Sequence, residues 1–367
     1  MDVRDFDFDL PPDLIAQEPA AERTSARLLH LDRHTGSITH THIAALPERL
    51  HAGDLIVVNN TRVFPARLLG RRVSSGGAVE CLLVRRLEPE AASAWYQTHI
   101  SDTRGRHQAE IWEALMHPGQ KLQPGARVVF EGTRTIHGEV LKRLFYGRRV
   151  VRLWTEGGSG VDEAVDSIGH VPLPPYIKRG DREADRERYQ TVFARTRGSV
   201  AAPTAGLHFT PALLAALAAR RIEVTEITLH VGYGTFQPVR VERVEEHLLE
   251  PEHYEIREAA ADAINRAIDD GRRVVAVGTT TTRTLEAVAA AHGGRLAPGH
   301  GSTALFIYPG FTFRVVRGLL TNFHLPRSSL LMLVSAFAGR ERVLAAYRTA
   351  IAERYRFYSY GDAMLII

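Results

Sequence analysis

Cysteine is nearly absent from this 367-residue chain, Cys81 being the only one. A single thiol excludes an intrachain disulfide, a cysteine-based zinc site and a self-supplied iron–sulfur cluster, and with them radical enzymes that hold a cluster through three cysteines. Set in the apolar run VECLLV, Cys81 reads as a small buried hydrophobe. The 17 histidines show no HExxH or comparable spacing, so no metal site is expected. Long apolar runs are also missing. The longest, Leu330 to Ala338, falls far short of the roughly 18 to 20 residues of a membrane span. The acidic start MDVRDFDFDLPPD lacks the basic and apolar regions of a signal peptide, so the expected location is the cytoplasm, with no membrane partner.

Lysine is scarce as well. Lys121, Lys142 and Lys178 stand against 43 arginines, and the net charge of +4 is unevenly spread. Residues 67–150 carry 14 basic and 8 acidic side chains, a surplus of +6 that leaves −2 for the remainder. A positive module on a near-neutral body is the distribution of a polyanion-binding surface, and equally of a soluble basic domain. With 44% hydrophobic and 24% charged residues the chain can bury a substantial core, and its length implies two domains or one domain with an insertion.

The pattern along the chain favours the second arrangement. LIVV (55–58) reads as a buried strand; from Arg67 to Val150, short β-rich runs (79–84, 127–130, 135–141, 150–154) alternate with Gly, Ser and Pro turns. Within this stretch QAEIWEALM suggests a short helix. A Gly-rich acidic link, TEGGSGVDEAVD, and the punctuated GHVPLPPYIKR follow. Beyond them strands alternate with helices: ALLAALAAR capped by Thr210-Pro211, IEVTEITLHV, AADAINRAIDDG, RRVVAVG, TTRTLEAVAAAHGG and AAYRTAIAERY. The expected fold is an α/β body, 1–66 with 151–367, whose sheet is at least partly parallel. It carries an inserted small antiparallel β-barrel-like domain at 67–150.

Four loops can hold chemistry. Gly278 to Arg283 (GTTTTR) joins a strand end to a helix start, where hydroxyls and free N–H groups suit ribose, phosphate or carboxylate; it is neither GxGxxG nor a Walker A loop. APTAGLHFT (202–210), HVGYGTF (230–236) and LTNFHLPRSS (320–329) each bring a histidine, His208, His230 and His324. Imidazole titrates near neutrality, so the three together are candidates for acid–base chemistry. The aromatic C-terminal run RYRFYSYGDAMLII reads as a closing strand packed on the body.

Ten segments then carry a resemblance: DFDFDLPPDLIAQEP, NNTRVFPARLLG, GHVPLPPYIKR, DRERYQTVFA, VAAPTAGLHFT, TLHVGYGTFQPV, AVGTTTTRTLEA, FIYPGF, TNFHLPRSSLLMLVSAFAG and YRFYSYGDAML. Spread over nearly the whole chain, they resemble the S-adenosylmethionine:tRNA ribosyltransferase-isomerase family of queuosine biosynthesis. The resemblance implies transfer of the ribosyl moiety of S-adenosylmethionine to 7-aminomethyl-7-deazaguanine at the wobble position of a tRNA anticodon. Isomerisation then gives epoxyqueuosine, with adenine and methionine released. It implies no catalytic cofactor, with S-adenosylmethionine as co-substrate and tRNA as partner.

On that resemblance His208, His230 and His324 become the proton-transfer candidates. Thr204, Gly206, Gly232, Gly234, Thr235, Thr279, Thr280, Arg283 and Asn322 become candidates for contacts to S-adenosylmethionine or the tRNA base, and Arg148 and Arg149 for tRNA. The chain departs from the family pattern at Asn60, where Asp is usual, at Glu250, where a second His is common, and at Arg317, where Asp is usual. The alternatives are a paralogue with the same donor chemistry on another acceptor, or a non-catalytic RNA-binding protein.

Overall fold

The computed structural model describes residues 1–87, 109–156, 160–236 and 239–367, with the backbone alone at 235 and 236. Among these residues the strands run, in chain order, β1 (Arg27–Leu31), β2 (Ile38–His42), β3 (Leu55–Asn59), β4 (Thr61–Val63), β5 (Arg67–Arg72) and β6 (Ala78–Arg86). Then come β7 (Glu110–His117), β8 (Arg127–Phe130), β9 (Ile136–Arg143), β10 (Arg148–Thr155), β11 (Thr196–Ser199) and β12 (Glu223–Leu229). The last are β13 (Glu252–Ile256), β14 (Val274–Val277), β15 (Gly299–Thr303), β16 (Val316–Asn322) and β17 (Ala363–Ile366). The principal helices of the body are α1 (Pro211–Ala219), α2 (Glu258–Asp269), α3 (Thr279–Ala291), α4 (Ser329–Ala338) and α5 (Arg340–Ala352).

The chain folds as two compact units. One comprises Met1–Arg62, Pro174–Gly180 and Glu187–Ile367; the other comprises Val63–Leu173 and Asp181–Arg186.

The first unit is built on a nine-stranded mixed sheet ordered β15-β13-β12-β3-β14-β16-β17-β1-β2. Strands β12, β3, β14 and β16 are parallel, and β17 pairs antiparallel with β16 but parallel with β1. Alternation explains why the central runs are apolar throughout. Leu55, Val57, Val274 and Ala276 face one core with Ile264, Leu285 and Val334, whereas Ile56, Val58, Val275 and Val277 face another with Phe209, Leu213 and Leu217. A sheet covered on both faces has no side to leave polar. Helix α1 starts as its sequence reads: Thr210 Oγ1 accepts the Leu213 N–H at 3.1 Å, with Pro211 at the first position.

The second unit holds a closed barrel, β10-β7-β6-β5-β8-β9, with antiparallel pairing between all neighbours. The expected α/β body with a small antiparallel barrel is therefore the fold observed. Its interior includes Leu68, Cys81, Leu83, Ala114, Val128, Phe130 and Leu153. Burial pushes the Cys81 thiol up to about 12, which leaves it an unreactive hydrophobe as its sequence context implies. One local expectation fails: EIWEALMH is strand β7, not a helix. Its helix-forming Glu, Ala, Leu and Met residues are overridden by ladders to β6 and β10 and by burial of Ile111 to Ala114. Much of the segment before it (88–108), like residues 157–159 of the glycine-rich link, lies outside the described residues. No helix among the described residues is long and apolar enough to cross a membrane.

Candidate active site

Parallel β3, β12, β14 and β16 bring their carboxyl ends to one edge of the sheet, where loops of an α/β sheet gather around a ligand. The turn from β14 into α3 shows how the sequence shapes that edge. Gly278 takes φ +91° and ψ 153°, a conformation essentially reserved for glycine, while its N–H donates to the Leu320 carbonyl of β16 at 2.8 Å. The start of the helix is thereby registered against the end of the neighbouring strand. The threonines then divide by role. Thr281, Thr282 and Thr284 donate to the carbonyls of Val277, Gly278 and Thr280 at 2.8, 3.1 and 3.1 Å. Thr279 and Thr280 instead line a cleft, together with the unsatisfied N–H end of a thirteen-residue helix.

This cleft encloses about 890 Å³, open solvent at its mouth included. Its walls are the 201–205 loop with Thr204, the run from Thr321 through Asn322 and His324 to Leu330, and the tyrosines Tyr176 and Tyr358. No carboxylate lines it among the described residues. Asn322 is buried; its Nδ2 donates to the Tyr358 carbonyl at 3.1 Å and lies 3.3 Å from His208 Nε2, yet its Oδ1 has no partner. The buried Tyr358 hydroxyl has none either, and Tyr358 is held at φ +72°. Its ring lies 4.5 Å from that of Tyr176, whose hydroxyl shares a 2.6 Å hydrogen bond with Ser359. Asn322 and Tyr358 both line the cleft, so two buried polar atoms without a hydrogen-bond partner lie at its wall.

His324 contributes its ring to the wall. Its Nε2 shares a 2.7 Å hydrogen bond with Thr321 Oγ1, and the His324 backbone N–H donates to the Tyr347 hydroxyl at 2.9 Å. Burial lowers its pKa to about 3. His208 sits behind Asn322; burial, and then the charges of Arg356 and Arg23, bring it to about 4, against a hydrogen bond to the Arg23 backbone. Both imidazoles are neutral throughout the physiological range.

The remaining sequence candidates are placed elsewhere. His230 faces a separate recess with His253 and His300, bonded at 2.9 Å to Thr61 Oγ1, and burial followed by the neighbouring His253 lowers its pKa. Arg283 turns its buried guanidinium to Glu252, whose other oxygen accepts the Gly232 N–H at 3.0 Å. It is a brace under the 230–234 loop and not a wall of the cleft. Gly234 lies against Glu250; Thr235 continues in a single turn, Tyr233–Phe236, and its side chain falls outside the described residues. Gly206 is packed so closely that a Cβ would meet Phe193 and Thr191 at 2.9 Å, a steric requirement unconnected with the cleft.

Three charged positions also read differently in space. Arg149 is 1% exposed and its N–H groups are committed to the carbonyls of Leu122, Arg148 and Gly119, so it braces the barrel and offers nothing to a phosphate. Arg148 is mostly covered and paired with Glu113 at 2.7 Å. Arg317 stands at the opposite end of β16 from Asn322, bonded to the carbonyls of Phe313 and Arg314. Asn60, by contrast, has a local reason: its Nδ2 donates to Glu226 at 3.1 Å and its Oδ1 accepts from Thr228 at 2.7 Å, whereas an aspartate here would face Glu226 as a like charge.

Tyr176 and Tyr358 are the cleft residues that sequence reasoning missed. Both lie in segments quoted for the resemblance, PPYIKR and YRFYSYGD, but aromatics in such runs read as packing.

The mixed sheet, whose strand ends and helix start open on a tyrosine-walled cleft with the concavity of a small-molecule site, is the body of an α/β protein, here with a barrel in the same chain. The chain matches the queuosine biosynthesis protein family over residues 3–366, and it belongs to that family. It is 50% identical over 367 residues to the S-adenosylmethionine:tRNA ribosyltransferase-isomerase of Desulfitobacterium hafniense, covering 100% of both chains. The namesake from Heliobacterium modesticaldum is likewise 50% identical over 367 residues, again with 100% of each chain covered. Among solved structures, it is similar to the S-adenosylmethionine tRNA ribosyltransferase of Thermotoga maritima. That likeness has a TM-score of 0.53 and 37% identity, covering 99% of this chain and 100% of that one.

Proposed function

We propose that this chain is a tRNA-modifying transferase-isomerase, which moves the ribosyl moiety of S-adenosylmethionine to a tRNA base, isomerises it, and releases adenine and methionine. S-adenosylmethionine is a co-substrate. The acceptor is the aminomethyl group of 7-aminomethyl-7-deazaguanine at the wobble position of the anticodon, the product is epoxyqueuosine, and the work is done in the cytoplasm beside the tRNA pool.

The observation that carries this reading is the cleft itself, in a chain matched to the family from end to end. The start of α3 with the Thr279 and Thr280 hydroxyls suits the carboxylate or ribose hydroxyls of the donor. Asn322 Oδ1 and the Tyr358 hydroxyl, both without a hydrogen-bond partner, suit the exocyclic amine and ring nitrogens of adenine. With no carboxylate on the described wall, the sulfonium cation is best met by the faces of Tyr176 and Tyr358, an attraction of about 0.5 to 2 kcal/mol.

The sulfonium acidifies the neighbouring 5′ C–H bonds and makes methionine a good leaving group. A neutral His324 is the cleft-wall imidazole that can take that proton; burial weakens it as a base, so the transfer relies on the acidifying sulfonium. The imidazolium so formed is a strong acid, suited to handing the proton to departing adenine. His208 supports Asn322 from behind, and Thr204 closes the facing wall. His230 faces another recess and takes no part in the proton path.

Purified protein, S-adenosylmethionine and tRNA bearing 7-aminomethyl-7-deazaguanine should give adenine and methionine in equal amounts, with epoxyqueuosine detected by mass in the tRNA. Methyl transfer, or donor binding without adenine release, would overturn the assignment.

A further inference from the structure

Next to the cleft, and sharing Ser359 with it, lies a smaller, shallow recess of about 300 Å³, open solvent at its mouth included, that has no role so far. Three arginines from separate segments line it: Arg23, Arg188 and Arg356. Each is oriented by backbone carbonyls. Arg23 donates to Leu207 and Glu187 at 2.8 and 3.1 Å, Arg188 to Ala21 at 3.0 Å and to Ala20, and Arg356 to Glu18 and Tyr360 at 3.2 and 3.0 Å.

Carbonyls fix a guanidinium without neutralising it. Among the described residues no carboxylate lines the recess, and none of the three arginines forms an ion pair. Their neighbours are already committed: Glu18 pairs with Arg179 at 2.9 Å, and buried Asp362 accepts the backbone N–H groups of Arg27 and Arg356, each at 2.8 Å. Arg188 Nε is buried and unpartnered. The repulsion is felt locally. Burial and then Arg188 lower the pKa of Arg23, although Glu187 opposes this, and the charges of Arg356 and Arg23 add to burial in holding His208 down. Uncompensated like charges within one recess are a standing cost that an oxyanion would remove. Planar forks with spare donors match phosphate oxygens in particular.

We propose that the Arg23–Arg188–Arg356 recess is an oxyanion site that holds a backbone phosphate of the RNA substrate beside the nucleotide being modified. The inference rests on the reading of the chain as a tRNA-modifying enzyme. A phosphate seated there stands behind His208 and, through its contact with Asn322, next to the cleft wall, so RNA docking and donor binding share one wall. The carboxylate of S-adenosylmethionine has the same chemistry, but the start of α3 already offers it a place within the cleft.

The test compares wild type with Arg188→Gln and Arg23→Gln in fluorescence-anisotropy binding of tRNA at several salt concentrations, and in calorimetric binding of S-adenosylmethionine. We expect each substitution to weaken tRNA binding about tenfold, to lower the slope of log K against log salt by about 1, and to leave donor affinity within about twofold. Because either arginine also ties segments together, inorganic phosphate is titrated against the wild-type tRNA complex at constant ionic strength. Competition with tRNA but not with S-adenosylmethionine supports the site without any substitution. Unchanged tRNA affinity and salt slope in folded variants would overturn it, as would loss of donor affinity alone, which would give the recess to the methionine carboxylate. Adenine release is assayed separately: if wild type releases none yet binds tRNA through these arginines, the catalytic reading fails and the site stands.

Discussion

Substituting Glu252 by Ala should destabilise the body by about 4 kcal/mol while touching no residue of the cleft. The carboxylate and the Arg283 guanidinium are 7% and 6% exposed, so both charges have left water for each other. Breaking such a pair from one side costs about 3 to 5 kcal/mol, because the remaining ion stays buried without a counterion. Arg283 Nε already lacks a partner, so it has no second acceptor to turn to. The Gly232 N–H also loses its acceptor, an additional cost of about 1 kcal/mol that water offsets in part, since Gly232 is only half-buried. Urea unfolding, followed by hydrogen exchange in peptides covering 223–232 and 252–256, reads the loss where it falls. Replacing both partners, as Glu252→Leu with Arg283→Met, should recover most of it, because two matched apolar side chains leave no orphan charge. A single-substitution cost under about 1 kcal/mol, or a double variant as damaged as the two singles summed, would refute the account of Arg283 as a brace.

Further outcomes follow from the same geometry. Gly278→Ala forces a side chain into φ +91° and should cost about 1 to 3 kcal/mol, with weaker S-adenosylmethionine binding by calorimetry because the start of α3 shifts. Thr279→Val with Thr280→Val removes the two cleft hydroxyls and should raise the donor Kd about tenfold with the melting temperature nearly unchanged, since neither hydroxyl supports the helix. His208 and His324 have folded pKa values below that of the unfolded chain, so protons favour unfolding. Their penalty is absent above about pH 6.5 and grows as pH falls toward about 4 and about 3, reaching about 2 kcal/mol each by pH 5. The urea midpoint should therefore drop between about pH 7.5 and pH 5, less so in His208→Gln; equal drops would remove His208 from the account. Arg149→Ala should destabilise the barrel by about 2 to 3 kcal/mol through orphaned carbonyls and lost packing, while leaving the salt slope of tRNA binding unchanged.

Legibility in the sequence followed the range of the physics. Strand β14, the glycine and the start of α3 were readable because a four-residue apolar run, a glycine and an N-terminal turn are local events. The barrel was readable from turn spacing, though β7 was not, because its helix formers are held extended only by β6 and β10. Site assignments fared according to how many segments each needed. Thr279, Thr280, Asn322 and His324 meet because register places the ends of β14 and β16 side by side. His230 looked equivalent to His208, but which way a ring turns at a strand end depends on Thr61, 169 positions away. Arg149 looked like an RNA contact because composition counts charges without showing which face of a strand they occupy. The arginine recess had no local signature at all: its three residues stand at 23, 188 and 356.

Strand β17 has a bearing on how the body assembles. It occupies the slot between β16 and β1, so the β1–β2 hairpin reaches the rest of the sheet only through residues 363–366. The hairpin emerges from the ribosome early, yet its docking partner is translated roughly three hundred residues later. Until then Leu28 and Leu29 lack their neighbours Ala363 and Met364, and β16 shows a bare edge. A nascent body in that state is an open template for strand exchange or chaperone capture, whereas the barrel closes from strands lying within residues 67–155. Synthesis of this protein should therefore pass through a stage in which the barrel is finished and the sheet is not, and the enzyme's yield in a cell will depend on how long that interval lasts.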